Sequence, residues 1–192
     1  YDNTAKDHRL RMLLPTGIKG GKYFAGQAFC CLERETGINY STQDWSEIDP
    51  YEKATNGIVG KRDSDNDGIA FVAANGIHEC AGYDDDEGTL AVTLSRSFAN
   101  TVKTNGETRG QINMPLEYKF NISVMDSETE YSDLKKQQDI MSVNVLSNFV
   151  SAAKGSEIQK PQSLLSVSGK NIVTSVIKCS EDGKGIVVRV FN

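Results

Sequence analysis

Residues 68–97, GIAFVAANGIHECAGYDDDEGTLAVTLSRS, decide the fold class of this chain. They predict three antiparallel strands in series. The apolar run 69–73 ends at Asn75-Gly76, a pair that is typical of tight hairpins. The acidic turn 84–88 then separates the second run from residues 89–95, where apolar and small polar side chains alternate with the period of a half-buried strand. The stretch therefore predicts a β-meander with a core on one side.

Alternation in other parts of the chain extends the prediction of strands. Leu10, Met12 and Leu14 alternate with arginines, and a similar pattern covers residues 118–124. Residues 27–33 also indicate a strand, and two β-branched runs flank the turn at residues 181–185. Helical spacing of apolar residues predicts one short helix near residues 130–139. These patterns together predict an all-β fold, an antiparallel β-sandwich with one short helix.

The composition is that of an ordinary globular protein. Of the 192 residues, 38% are hydrophobic and 24% are charged. The formal net charge of −5 argues against a nucleic-acid partner, because phosphate binding needs clustered Lys and Arg. No apolar run is long enough to span a bilayer, so we expect no membrane partner either.

The cysteines and histidines give no pattern of a metal or redox site. Cys30, Cys31, Cys80 and Cys179 form no C-x-x-C motif, and buried free thiols in a reducing, cytoplasmic compartment are the better interpretation. The two histidines, His8 and His78, lie on different predicted strands without a partner at metal-ligand spacing. We therefore expect no catalytic residue and no cofactor on this chain.

One acidic segment has the beginning of a calcium-binding pattern. Asp63, Asp65 and Asp67 alternate before Gly68, as in the first half of an EF-hand loop. The twelfth position of such a loop is a bidentate Glu, whereas here it is Ala74. A solvated acidic loop is the simpler interpretation, and calcium binding stays as the alternative.

Three blocks of the sequence resemble one enzyme family. Residues 3–11 contain D-H-R-L-R, residues 68–97 end in T-L-A-V-T-L-S-R-S, and residues 171–192 contain a spaced pattern around E-D-G-K-G. Together they resemble the C-terminal β-sandwich region of glycoside hydrolase family 38, the α-mannosidases, and its bacterial branch above all. In the last block the matching positions are Ser175, Lys178, Glu181, Asp182, Gly183, Gly185, Arg189 and Asn192.

The resemblance implies what a larger protein around this chain does. Family 38 enzymes are retaining α-mannosidases, with a catalytic Asp and a zinc ion in an N-terminal domain whose motifs this sequence lacks. Residues 1–192 are then expected to form part of the C-terminal region of a larger bacterial, cytoplasmic glycosidase, with a sub-boundary near residues 155–170. The implied fold is a sandwich of the galactose-mutarotase-like supersandwich type. The implied partners are the parent's own catalytic domain and a mannoside substrate.

Five residues are the candidates for a substrate rim or a domain interface. Asp7, His8 and Arg9 belong to the first matching block, and Arg34 precedes a long variable loop at residues 36–60. That loop carries Trp45, which can stack on a sugar ring. The structural alternatives stay open, namely cross-strand ion pairs for Asp7 and Arg9 and a core or interface position for Trp45.

Two functions of other classes also remain open on the sequence. One is a free-standing carbohydrate-binding module, and the other is a β-sandwich that calcium stabilises. The sequence leaves the oligomeric state undecided, with a homo-oligomer as one alternative.

Overall fold

The computed structural model describes residues 1–38, 40–46, 49–99, 108–149, 151, 163 and 165–192. Within these ranges the chain forms antiparallel strands, one α-helix and one short 3₁₀ turn at Thr108–Gly110. The strands are β1 His8–Leu14, β2 Lys22–Gly26, β3 Cys31–Glu35, β4 Lys53–Ala54, β5 Ile58–Arg62, β6 Gly68–Ala73, β7 Glu79–Gly82, β8 Leu90–Ser97, β9 Phe120–Met125, β10 Val173–Cys179 and β11 Ile186–Phe191, and the helix α1 is Tyr131–Ser142.

The strands form three sheets. A four-stranded sheet has the order β1-β8-β7-β4, and a five-stranded sheet has the order β3-β2-β5-β6-β9. Strands β10 and β11 make a separate two-stranded hairpin around the turn that was predicted at residues 181–185. The predicted all-β sandwich with one short helix is confirmed.

The main core fills the space between the two larger sheets. Leu14, Leu90 and Val92 come from the four-stranded sheet, and Val59 and Phe71 face them from the five-stranded sheet. All five side chains are buried. Because these positions alternate along their strands, one face of each sheet supplies the hydrophobic contact that holds the sandwich together.

Helix α1 forms a third layer on the outer face of the five-stranded sheet. Leu134 of the helix packs in a second apolar cluster with Ile58, Val72 and Met125. At the start of the helix the backbone N–H of Glu130 donates to the Asp133 carboxylate at 3.1 Å. Strand β6 is thus buried on both faces, which explains why its sequence is a continuous apolar run rather than an alternation.

The prediction of a three-stranded meander is wrong in its first half. Strands β7 and β8 form the expected hairpin, but β6 pairs with β5 and β9 in the other sheet. The Asn75-Gly76 turn, with Gly76 at φ 76°, therefore carries the chain from one sheet to the other. The Asn-Gly pair predicts that the chain changes direction there, because both residues tolerate positive φ. Which strand the next one pairs with depends on the arrangement of all strands in the sandwich.

Two other strand predictions need correction. Residues 27–33 do not form a single strand, because the chain turns at residues 27–30 between β2 and β3. The predicted buried face of residues 118–124 is largely exposed, with 86% of Val124 accessible, whereas Met125 is buried. Strand β9 lies at the edge of its sheet and the helix covers the opposite face, so the apolar row is left in solvent.

Two further observations complete the architecture. The predicted sub-boundary near residues 155–170 lies largely outside the described residues.

No helix in the described part of the chain has the length and apolar character needed to cross a membrane.

Candidate functional site

Two arginines and one glutamate form the centre of the candidate site. Arg9 and Arg11 lie two residues apart on β1 and therefore share a face of the four-stranded sheet. Glu52, just before β4, forms an ion pair with both, at 2.6 Å from Arg9 Nη1 and 3.3 Å from Arg11 Nη1. The three side chains are only partly exposed. They join the first strand of the sheet to the end of the long loop.

Two tyrosines extend this group. Arg11 donates to the hydroxyl of Tyr83, and its guanidinium carbon lies 5.7 Å from the centre of the same ring. The Tyr51 ring lies 5.9 Å from that of Tyr83. We refer to Arg9, Arg11, Tyr51, Glu52 and Tyr83 as the Glu52 cluster.

The loop before β4 carries a second aromatic pair. The rings of Tyr40 and Trp45 are 5.7 Å apart, and 54% of Trp45 is exposed. Tyr40 donates its hydroxyl to Asp49, which also binds Lys53. The hydrogen bond from Lys53, followed by the one from Tyr40, lowers the pKa of Asp49. These contacts anchor the loop and leave the face of Trp45 available to a ligand.

The chemistry of this surface suits recognition rather than bond cleavage. Exposed aromatic rings stack on sugar rings, and guanidinium groups bind hydroxyl or carboxylate oxygens. A retaining glycosidase needs two carboxyl groups at about 5 Å across the scissile bond. The Glu52 carboxylate is instead engaged by two arginines, and the cluster carries one net positive charge.

Asp7 is not part of the Glu52 cluster, although it lines one cleft with Arg9, and it fastens the start of β1. It has φ 50°, and its Oδ1 accepts from the backbone N–H of Ala99 and from Gln111 Nε2, both at 2.7 Å. The neighbouring His8 has its Nε2 at 3.0 Å from the hydroxyl of Tyr1. Asp7 is thus bound to segments 92 and 104 residues further along the chain, and His8 to the first residue, so these contacts hold the start of β1 in place.

Arg34 also lies outside the cluster. It is on β3, opposite Tyr23 of β2, and its Nη1 is buried without a hydrogen-bond partner among the described residues. Burial raises the pKa of Tyr23 to about 12, with the Cys80 thiol adding to this and Arg34 opposing it. The structure thus brings Arg9 and the loop before β4 to one surface and leaves Arg34 in the other sheet.

The acidic segment before β6 forms a tight turn. Asp63 Oδ1 accepts from the backbone N–H groups of Asp65 at 2.9 Å and Asp67 at 3.0 Å, and Asn66 has φ 66°. In the described part of the chain, no group of three or more His, Cys, Asp or Glu side chains is arranged to hold a metal ion. The three carboxylates of the calcium candidate, Asp63, Asp65 and Asp67, are therefore not brought to one centre.

All four cysteines are free. Cys80 is buried and burial raises its pKa to about 12, and the same cause raises the pKa of Cys31 to about 12. Cys179 is exposed, so the prediction of buried thiols is wrong at that position. Cys30 and Cys31 are half-buried, with Cys30 in the turn before β3.

Glu52, Tyr51 and Tyr83 were not among the residues that the sequence singled out. Glu52 and Tyr51 lie in the stretch between β3 and β4, where no apolar period fixes which side chains face the sheet. Glu52 reaches Arg9 and Arg11 of β1, and Tyr51 reaches Tyr83, only because β1, β7 and β4 belong to one sheet, and the sequence does not give this order of strands. The available signal was the alternation of Arg9 and Arg11, which predicts two cations on one face in need of an acidic partner.

Comparison with known sequences gives one informative relative. No protein-family model matches the chain. A protein of Halalkalibacterium halodurans described as "Putative mannosylglycerate hydrolase" is 28% identical over 201 residues, an alignment that covers all of this chain and 20% of that protein. The chain thus spans about one fifth of the length of this relative.

Two solved structures have the same fold over the whole chain. An α-mannosidase from Enterococcus faecalis V583 matches with a TM-score of 0.78 at 22% identity, and a glycosyl hydrolase family 38 protein from Enterococcus faecalis matches with 0.75 at 21%. In both cases the chain covers 21% of the solved protein. The matching part is their C-terminal part, so the resemblance to the C-terminal sandwich of these proteins is confirmed.

Proposed function

We propose that this chain is a non-catalytic β-sandwich region of an enzyme that hydrolyses α-mannosides. The observation that carries the proposal is the match of the entire chain to about one fifth of much longer proteins whose names include an α-mannosidase and a mannosylglycerate hydrolase. The catalytic carboxylates and the zinc that the resemblance implies then belong to the remaining part of the enzyme. There the zinc, when bound, grips sugar hydroxyls.

The first role in this proposal is mechanical support of the catalytic domain. A sandwich with two larger sheets and a helix layer is a rigid body, because its strands are fixed by cores on both faces of the five-stranded sheet. Such a body can hold a neighbouring domain in one orientation and so keep the catalytic groups within the small tolerances that catalysis needs.

The second role is a contribution to the rim of the substrate site. The Glu52 cluster fastens the end of the loop before β4 to the sheet, and the Tyr40–Trp45 pair is presented on that loop. An exposed indole on a loop whose end is held in place suits stacking on a sugar ring. Binding energy gained at such a rim acts on substrate affinity more than on the chemical step.

Turnover of an aryl α-mannoside tests the non-catalytic assignment. The 192-residue chain and the full-length gene product are assayed in parallel, with zinc present in both. We expect turnover by the full-length enzyme alone. Turnover by the 192-residue chain would refute the non-catalytic assignment.

Substitution in the full-length enzyme separates the rim from general support. Trp45→Ala is expected to raise KM several-fold with little change in kcat, because the indole contacts substrate away from the reacting atoms. Phe149→Ala, at a 97% exposed aromatic position of the same chain, serves as the matched control with unchanged KM. Equal effects of the two substitutions would contradict the rim role and leave support as the function.

A free-standing carbohydrate-binding module is the second candidate, and the exposed Tyr40–Trp45 pair favours it. This function predicts that the 192-residue chain is retained on a mannan column and that the Trp45→Ala variant passes through without delay. Passage of the unmodified chain without delay would exclude this candidate.

A further inference from the structure

A second cleft lies apart from the Glu52 cluster. It has a volume of about 730 Å³ and forms where four elements meet: the turn at residues 27–30, the crossover at 74–78, the second half of α1 and the β10–β11 hairpin. None of the Glu52 cluster lines it. The volume is in the range of clefts that hold small-molecule ligands.

Arg189 is an exposed side chain at one wall of this cleft that is held by a hydrogen bond and an aromatic contact. Its Nε donates to Ser175 Oγ at 2.8 Å, and the Ser175 hydroxyl donates to the Arg189 carbonyl at 3.2 Å. The guanidinium carbon lies 4.9 Å from the centre of the Phe29 ring, and Phe29 packs edge-to-face against Phe191 with 5.9 Å between centres. The guanidinium is thus held across the strand pair and against an aromatic wall.

This arrangement leaves the binding edge of the arginine unused. Among the described residues, Nε is the only side-chain nitrogen of Arg189 with a hydrogen-bond partner. The two terminal nitrogens form the planar fork that binds a carboxylate or phosphate with two parallel hydrogen bonds. Because Nε is already engaged, the orientation of the fork is fixed before a ligand arrives.

The other lining groups suit a ligand that carries hydroxyls. Asn75 and His78 lie on the crossover, and both are exposed. Gln27 donates its amide N–H to the Ala54 carbonyl, which fixes the side chain and leaves its oxygen as an acceptor. Lys135 is paired with Asp139 on the helix, so their charges offset each other and Arg189 supplies the unbalanced positive charge of the cleft.

We propose that this cleft binds a sugar acid, with the carboxylate on the Arg189 fork and the hydroxyls on the amide and imidazole groups. The volume exceeds what a bare carboxylate fills, and the combination of an aromatic ring with planar amides is the chemistry that recognises a pyranose. The site is additional to the substrate rim described above, since it is built from other strands and from the helix.

Titration of the ¹⁵N-labelled 192-residue chain with four compounds tests the ligand class. The probes are galacturonate, mannose 6-phosphate, methyl α-mannoside and acetate. We expect galacturonate to bind with a dissociation constant on the order of 1 mM, and the other three to bind at least about tenfold more weakly. Chemical-shift changes are expected at residues 27–29, 75–78, 175 and 189.

Each other outcome overturns a part of the proposal. Preferential binding of the sugar phosphate would show that the fork selects phosphate. Equal affinities for acetate and galacturonate would show that the proposed hydroxyl-binding groups do not contribute. Equal affinities for methyl α-mannoside and galacturonate would show that Arg189 does not contribute. Shift changes confined to the Trp45 loop would place the ligand at the rim.

Two substitutions test the residues themselves. Arg189→Lys keeps the charge but loses the fork, and we expect at least about tenfold weaker galacturonate binding. The matched control is Arg96→Lys, which removes an arginine that lies 5.7 Å from the Phe98 ring on another surface. Asn75→Asp in the exposed turn adds a repelling charge without touching a strand and is also expected to weaken binding. Unchanged affinity in both cleft variants would refute the site.

Discussion

Lys61 provides a sensitive test of the packing between the two larger sheets. Its side chain is 0% exposed and lies on the same face of β5 as the core residue Val59. Its ammonium has no hydrogen-bond partner among the described residues. It lies under the acidic turn, 3.0 Å from the position that a Cβ on Gly88 would occupy.

We expect Lys61→Met to stabilise the fold at pH 7. A buried donor that lacks a partner costs about 1–3 kcal/mol, and Met retains an unbranched apolar stem of similar length. The free energy of unfolding should therefore rise by about 1–3 kcal/mol. For a domain of this size, that corresponds to an increase in Tm of about 2–12 °C.

The same substitution has an expected pH dependence. Burial lowers the pKa of Lys61, and the nearby Asp84 and Asp85 carboxylates oppose this effect. Because the folded state loses the proton at lower pH than the unfolded state, the stability of the unmodified chain rises as pH increases through the folded pKa toward the ordinary lysine value. The advantage of Lys61→Met should therefore shrink with increasing pH over that interval.

Urea unfolding followed by circular dichroism at pH 7 and pH 9.5 measures both effects. Lys22→Met is the matched control, because Lys22 lies on the neighbouring strand β2 with its side chain about half exposed, and its change should stay within about 0.5 kcal/mol. A loss of stability in Lys61→Met at pH 7 would show that attraction to the acidic turn outweighs the cost of burial, and would refute the reasoning.

Two further predictions concern the helix layer and the acidic turn. Leu134→Ala should lower the free energy of unfolding by about 2–5 kcal/mol, because Leu134 is 1% exposed in the second apolar cluster. Ile140→Ala, at a 78% exposed position of the same helix, should change it little. Urea midpoints that shift equally in the two variants would contradict the assignment of the second core. Hydrogen bonds from Thr89 lower the pKa of Asp85, so its contribution is present above the ordinary Asp pKa and is lost as pH falls through the lowered value. The Asp85→Asn variant should accordingly lose less Tm between pH 5 and pH 2 than the Asp86→Asn variant, because the Asp86 side chain is fully exposed. Parallel curves of Tm against pH for the two variants would argue against a stabilising role of Asp85.

The sequence predicted strands well where a single face is buried. Leu10, Met12 and Leu14 alternate in β1 as in the sequence pattern. The last hairpin was predicted from its turn instead, because the side chains of β11 are largely exposed. Strand β6 shows the limit of this reasoning. Its run is apolar because a sheet covers one face and a helix covers the other, so the sequence predicted the strand but not its neighbours.

The candidate site was predictable only in part. Arg9 and Trp45 were identified from their residue types, and the structure joins Arg9 to Glu52 at the end of the loop that carries Trp45. Glu52 could not be identified, because its contact with Arg9 spans more than forty residues and requires the order of four strands. Asp7 has a structural role that its residue type did not indicate, since its carboxylate accepts from a backbone N–H and a side-chain amide, and its place at a rim or interface stays a prediction.

The pairing of β1 with β8 also has a consequence for synthesis on the ribosome. About 75 residues separate Leu14 from Leu90, and these two residues are partners in the finished sheet. At synthesis rates of 5–20 residues per second, β1 emerges roughly 4–15 s before β8 exists. During that interval the backbone N–H and C=O groups along the edge of β1 have no native partner strand, and an unpaired strand edge is a template for pairing with another chain. The nascent chain is therefore exposed to association through its first strand until the β7–β8 hairpin has been made.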